Sequence, residues 1–207
     1  IARRRRTARK ASRLLAGAAG TPIEVSGAEN LPAGEAWVVA ANHMSYLDGF
    51  VLTAALPPRA AFVVTRELLG KTIPRFILRR LGALVVERFD PKRSAEDANR
   101  LIQAIRQGQP LVMFPEGTFD RAPGLRPFRM GAFLAAAETG TAVVPVAIQG
   151  TRSMLRGDEW FPRRGRARLV IGRPVVPDGN DWAAAVRLRD AVRAEILRNC
   201  GEPDLES

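Results

Sequence analysis

The chain has 207 residues, 46% of them apolar, enough for one domain with a real core. A single cysteine, Cys200, excludes an internal disulfide or CxxC site, fits a reducing setting, and with a single histidine, His43, argues against zinc. The net charge is +11, but Arg3, Arg4, Arg5, Arg6, Arg9, Lys10 and Arg13 all precede the first acid, Glu24, and without these seven the remainder carries only +4.

Residues 2–19 read as a helix, so a basic amphipathic arm over residues 1–20 is expected ahead of a domain over 21–207. Its cations flank Leu14 and Leu15, a pattern that suits lying on an anionic membrane surface. Nucleic acid or an acidic carrier protein would match the same charge, and a solvated, frayed terminus is the plain alternative. No apolar run approaches the ~20 residues of a membrane-spanning helix.

Trp37–Ala41 reads as a buried strand that runs into Asn42-His43-Met44-Ser45-Tyr46-Leu47-Asp48, with a helical pattern from about Ser45. On a regular helix His43 and Asp48 would lie roughly 140° apart. They meet only if His43 stands on the turn after the strand and Asp48 on the first turn of the helix. Two readings stay open here. Ser45 and Asp48 could form a capping box that serves only the helix start. Alternatively, Asp48 holds one ring nitrogen of His43 and leaves the other as a base, since imidazoles titrate near neutral pH. No Gly-x-Ser-x-Gly elbow and no suitably placed cysteine accompanies the pair, so a substrate hydroxyl would be the nucleophile.

Ala61–Thr65 reads as a strand and 67–80 as a helix with Arg66, Lys71, Arg75, Arg79 and Arg80 in or beside it. Ala83–Val86 is a strand ending in Glu87-Arg88, where Arg88 could clamp a phosphate or pair with a surface acid. Residues 94–107 form a helix with a capping-box-like start at Ser94 and Asp97. Leu111–Phe114 is a strand that enters Pro115-Glu116-Gly117-Thr118-Phe119-Asp120-Arg121, either a ligand-binding strand end or a polar turn. A helix over 131–139 closes at Gly140, and the strand Ala142–Ile148 contains Pro145, which predicts an edge or a bulge. A strand over Ala167–Ile171 and a helix over about 181–199 starting at Asp181 complete the chain. The alternation predicts an α/β single domain: a central, mostly parallel or mixed sheet flanked by helices, with the basic amphipathic helix at the N-terminus.

Taken together, four blocks resemble the glycerolipid acyltransferase family of the 1-acyl-glycerol-3-phosphate type. Asn42, His43, Ser45 and Asp48 match its N-H-x-S-x-x-D motif, and Arg88 matches the basic residue that ends its second block. Phe114 through Thr118 match F-P-E-G-T, and Val144 through Ile148 match V-P-V-A-I. Leu125–Ala132 is similar to the family's flanking text. The family continues its third block with Arg-Ser, whereas Phe119-Asp120-Arg121 stands here, with Arg121 as the available replacement.

The resemblance implies transfer of a fatty acyl group from acyl-CoA or acyl-carrier protein to the free hydroxyl of a lysophospholipid. The first acceptor is 1-acyl-glycerol-3-phosphate. It implies His43 as base with Asp48 orienting it, and Arg88, Glu116, Gly117, Thr118 and Arg121 at the substrate, Glu116 suiting a glycerol hydroxyl better than a phosphate. Backbone N–H groups around Glu116 and Gly117 are the oxyanion candidates. No cofactor or metal is expected. The partners implied are the two substrates and an anionic membrane surface, on its cytoplasmic face, with acyl-carrier protein as the other donor. The departure at Phe119 keeps other acceptors open, such as a lyso-aminolipid or lysophosphoglycerol. A basic nucleic-acid-binding module is the non-enzyme alternative; 6% aromatic residues and the near-neutral remainder argue against it.

Overall fold

The computed structural model describes residues 1–34, 36–70, 72–87, 91–120, 122–155 and 162–206. Seven short strands form one sheet: β1 (Ile23–Ser26), β2 (Val38–Ala41), β3 (Ala61–Thr65), β4 (Leu84–Val86), β5 (Leu111–Met113), β6 (Val143–Gln149) and β7 (Ala167–Ile171). Their order is β1-β7-β6-β2-β5-β3-β4, parallel at every pairing except β6 with β7. The helices are α1 (Ala2–Ala18), α2 (Leu47–Ala55), α3 (Thr72–Leu81), α4 (Pro91–Arg106), α5 (Gly131–Thr139), α6 (Thr151–Met154) and α7 (Trp182–Cys200).

The two faces of the sheet carry separate cores, because side chains alternate along a strand. Val38 and Ala40 of β2 face a layer with Leu101 and Ile105 of α4, Phe133 of α5 and Val192 of α7. Val39 and Ala41 face the other way, onto Val51 and Leu52 of α2 and onto Val144, Val146 and Ile148. The strands that carry the site are thus buried on both faces, as parallel sheets require, and this is why they read as apolar runs.

Several boundaries differ from the sequence expectation. β1 went unread, since its burial is only partial and its place at the sheet edge comes from pairing with β7. The 67–80 segment divides into a 3₁₀ turn, Arg66–Gly70, and α3. α4 begins at Pro91, so Ser94 is not its cap; proline suits a first helical turn, where the lost N–H would have no partner anyway. Asp97 instead accepts from the Glu87 N–H and pairs with Arg100. Pro145 sits inside the sheet beside a bulge. Val146 pairs with Ile171 and Val143 with Val175, so two residues intervene on one side against three on the other.

The N-terminal helix is docked rather than frayed. Ser12 and Ala16 are buried against the domain. Arg5 donates to the carbonyls of Leu81 at 2.7 Å, Arg59 at 2.7 Å and Gly82 at 3.1 Å. Arg9 and Arg13 reach the Ala54 and Ala55 carbonyls at 2.9–3.4 Å. The Ala54, Ala55, Leu81 and Gly82 carbonyls lie at the ends of α2 and α3, where the last turn has no helical donors and the dipole favours cations, whereas Arg59 lies in the loop before β3.

Candidate active site

β2 delivers the chain to the C-terminal edge of the sheet, where open α/β folds hold ligands. Asn42 extends the pairing of β2 with β6 through its side chain. Its amide donates to Ile148 O at 3.0 Å and its carbonyl accepts from Ile148 N at 2.7 Å. The next residue, His43, is therefore held at a defined height above the sheet. Its ring Nδ1 lies 2.8 Å from Asp48 Oδ2, and Asp48 is fully buried. An ionised carboxylate only accepts, so Nδ1 carries the proton and Nε2 is left as the acceptor.

The turn between them is tied on the same oxygen. The N–H groups of Met44 and Ser45 donate to Asp48 Oδ2 at 2.7 and 2.8 Å. The Ser45 bond is the return half of a capping box, so capping and the grip on the imidazole coexist on a single atom. α2 itself starts at Leu47, whose N–H reaches Ser45 Oγ at 3.2 Å, while Ser45 Oγ donates to Leu155 O at 2.7 Å. Asp48 Oδ1 accepts from Thr151 Oγ1 at 2.5 Å.

Glu116 is 4% exposed and joins the two motif loops. One oxygen accepts the His43 N–H at 2.6 Å and the other the Arg126 N–H at 2.9 Å. Burial pushes its carboxyl up to about 7, against the two N–H bonds, which favour the charged form; Asp48 adds to the rise and Arg126 opposes it. Gly117 has φ +73°, and its N–H closes a turn onto Phe114 O at 2.9 Å. That bond removes the Gly117 amide from the oxyanion candidates.

A family model described as Acyltransferase matches residues 22–149, well over half the chain. The chain belongs to the acyltransferase family. It is 32% identical over 155 residues to a chloroplastic 1-acyl-sn-glycerol-3-phosphate acyltransferase of Arabidopsis thaliana, covering 74% of this chain and 43% of that protein. It is 30% identical over 137 residues to a 1-acyl-sn-glycerol-3-phosphate acyltransferase of Borreliella burgdorferi, covering 65% of this chain and 54% of that protein. The chain thus spans about half the length of these relatives. The solved 1-acyl-sn-glycerophosphate acyltransferase of Thermotoga maritima shares the fold, with a TM-score of 0.77, 23% identity, and 94% of this chain and 78% of that chain covered.

Around the His43–Asp48 pair of this acyltransferase-family chain the walls are aromatic. Phe114 stacks on the His43 ring with centroids 4.1 Å apart, and Phe119 meets it edge-on at 4.5 Å. Tyr46 packs against Phe119 at 4.9 Å. Phe119 therefore shields one edge of the imidazole. Beside Phe114 a cleft of about 270 Å³, open to solvent, lies along the ends of β3, β4 and β5, lined by Val63, Val86, Leu101, Gly117 and Arg129 among others. A Cβ at Gly117 would stand 2.8 Å from Arg129 Nε, so only glycine lets that guanidinium lie across the turn.

Arg88 and Arg121 lie outside the described residues. Thr118 is half-buried beside the turn. Among the described residues no group of three His, Cys, Asp or Glu side chains could hold a metal ion, and no helix is long and apolar enough to cross a membrane. Thr151 and Arg129 were not singled out in the sequence. The available signal for Thr151 was Gly150, which has φ +86° and whose Cβ would come within 2.1 Å of Arg166 O; such a glycine marks a forced turn after a strand.

Proposed function

We propose that the protein moves a fatty acyl group from an acyl thioester to the free hydroxyl of a lysophospholipid, with 1-acyl-glycerol-3-phosphate as the first acceptor. The observation that carries this is the 2.8 Å contact of His43 Nδ1 with a fully buried Asp48. Among the described residues no protein hydroxyl or thiol bonds the His43 ring, and Cys200 is buried at the end of α7. The acceptor is supported by the relatives, both of them 1-acyl-sn-glycerol-3-phosphate acyltransferases.

In this reading His43 Nε2 takes the acceptor's hydroxyl proton as that oxygen attacks the thioester carbonyl. Asp48 balances the imidazolium. The tetrahedral intermediate collapses with loss of the thiolate, which receives the proton back from Nε2. Glu116 accepts the His43 and Arg126 N–H groups and so fixes the backbone beside the base, and each of its oxygens keeps a lone pair for a substrate hydroxyl. Arg129, and Arg88 by family resemblance, would meet the acceptor phosphate; the donor would be acyl-CoA or acyl-carrier protein. Attachment to an anionic membrane surface is supported by apolar side chains standing out from basic helices: Leu14 at 74% and Leu15 at 61% exposure on α1, and Phe76 at 61% on α3.

A second reading rests on Phe119. With an aromatic ring against the base where the family has an arginine, a lyso-aminolipid or lysophosphoglycerol acceptor is also chemically suited. Purified protein, given labelled acyl-CoA and each acceptor in turn, tests both. His43→Ala should lower kcat about 10²–10⁴-fold with the fold intact. A folded variant that keeps most of its activity would remove His43 as the base.

A further inference from the structure

Asp48 presents its two oxygens unequally. Oδ2 takes three donors, from His43, Met44 and Ser45. Oδ1 takes the Thr151 hydroxyl, from a residue 103 positions away that is itself fully buried. All three bonds on Oδ2 come from the dyad's own turn, so they fix the carboxylate relative to that turn and move with it. The bond on Oδ1 adds a restraint from a distant element on the same Cβ–Cγ torsion, which is otherwise soft.

Thr151 is well placed to do so. It opens α6 directly after Gly150, whose left-handed conformation and close approach to Arg166 O define the turn. The residue after the helix, Leu155, accepts the Ser45 hydroxyl at 2.7 Å, so one four-residue helix grips the dyad loop at both its ends. A β-branched threonine is also stiff at χ1, which aims the hydroxyl without a second support.

We propose that Thr151 is a positioning residue of the acyl transfer: through Asp48 it holds the His43 imidazole for proton abstraction. The assignment rests on the acyl-transfer reading above. The acceptor O–H bond breaks and its proton goes to His43 Nε2 while the new C–O bond forms. The Nδ1–H stays on the ring and becomes one half of a buried ion pair with Asp48. The C–S bond then breaks and the thiolate takes the proton from Nε2. Thr151 keeps its own proton throughout, donating to the carboxylate whose charge must persist.

The test uses Thr151→Val, which replaces the hydroxyl by a methyl group at nearly equal volume, and Thr151→Ser, which restores the donor. Loss of a hydrogen bond to a charged group should lower kcat roughly 10- to 100-fold in Thr151→Val. The KM for acyl donor and acceptor should stay unchanged, and Thr151→Ser should recover most of the rate. Because His43 is the only histidine, its ¹H–¹⁵N signals need no assignment. The wild-type imidazole should be the Nδ1–H tautomer with a low-field Nδ1 proton, which Thr151→Val should shift or lose and Thr151→Ser regain. A Thr151→Val protein with a wild-type imidazole spectrum overturns the proposal, whether or not its melting temperature falls. So does a changed spectrum with unchanged kcat. If the wild-type protein transfers no acyl group, the functional reading fails by itself, and the imidazole spectra still decide whether Thr151 sets the dyad.

Discussion

Replacing Asp48 separates the architectural share of the dyad from its chemical share. In Asp48→Ala the buried N–H groups of Met44 and Ser45 lose their acceptor, as do the His43 ring and the Thr151 hydroxyl. Two stranded backbone donors at about 1–3 kcal/mol each put the loss near 2–6 kcal/mol. In a chain of this size that lowers the melting temperature by about 2–4 °C for each kcal/mol. Asp48→Asn should behave differently. Its carbonyl can take the Oδ2 position and accept all three donors, while its NH₂ donates to Thr151 Oγ1, whose hydroxyl rotates and accepts. The fold and the Nδ1–H tautomer should then survive within about 1 kcal/mol, but the imidazolium has no counter-charge, and kcat should fall at least about 100-fold. Circular-dichroism melts and acyl transfer from labelled acyl-CoA read the two effects. Equal melting of the two variants, or more than a tenth of wild-type kcat in a folded Asp48→Asn, would refute this division of labour.

Two further outcomes can be checked directly. Glu116 titrates near 7 in the folded protein against 4.5 for the free group, so the native state binds its proton more tightly than the unfolded chain does. Stability contributed at this site should therefore fall as pH rises from 4.5 to about 7, by about 3 kcal/mol in all, and stay level above. In urea titrations at pH 5 and pH 8 Glu116→Gln should lack this component, and parallel pH curves for the two proteins would count against it. On vesicles containing anionic lipid, the combined change of Leu14, Leu15 and Phe76 to Asp should abolish flotation while leaving transfer to a detergent-dispersed acceptor; undiminished flotation would rule out α1 and α3 as the contact.

The His43–Asp48 contact was legible because it depends on residues within a single strand–turn–helix bend, and its spacing already excluded a shared helix face. Asp181 as the cap of α7 and Gly140 as the stop of α5 were legible for the same reason. Asp181 accepts from Ala184 N at 2.7 Å, and Gly140 has φ +64°. Ser94 misled because a cap-like residue carries no information about a proline three positions earlier. Arg5, Arg9 and Arg13 read as charge for an outside partner, yet in the folded chain they end helices that are distant in sequence. Glu116 read as a substrate ligand alone; its bonds to two backbone N–H groups were not legible, because those partners lie on loops that the sequence does not show meeting.

By itself, the sequence determined the elements whose cause is local: the buried strands, the amphipathic helices, the start of α7 and the stop of α5, and the turn that bends His43 toward Asp48. Tertiary structure alone decided the strand order β1-β7-β6-β2-β5-β3-β4, and with it which loops gather at one edge of the sheet. That order sets β6 and β5 on either side of β2, and so brings Thr151 to Asp48 and Glu116 to His43. The physical reason is that a buried donor or acceptor takes whichever partner the packed layers leave within hydrogen-bonding distance, and separation along the chain has no part in that choice.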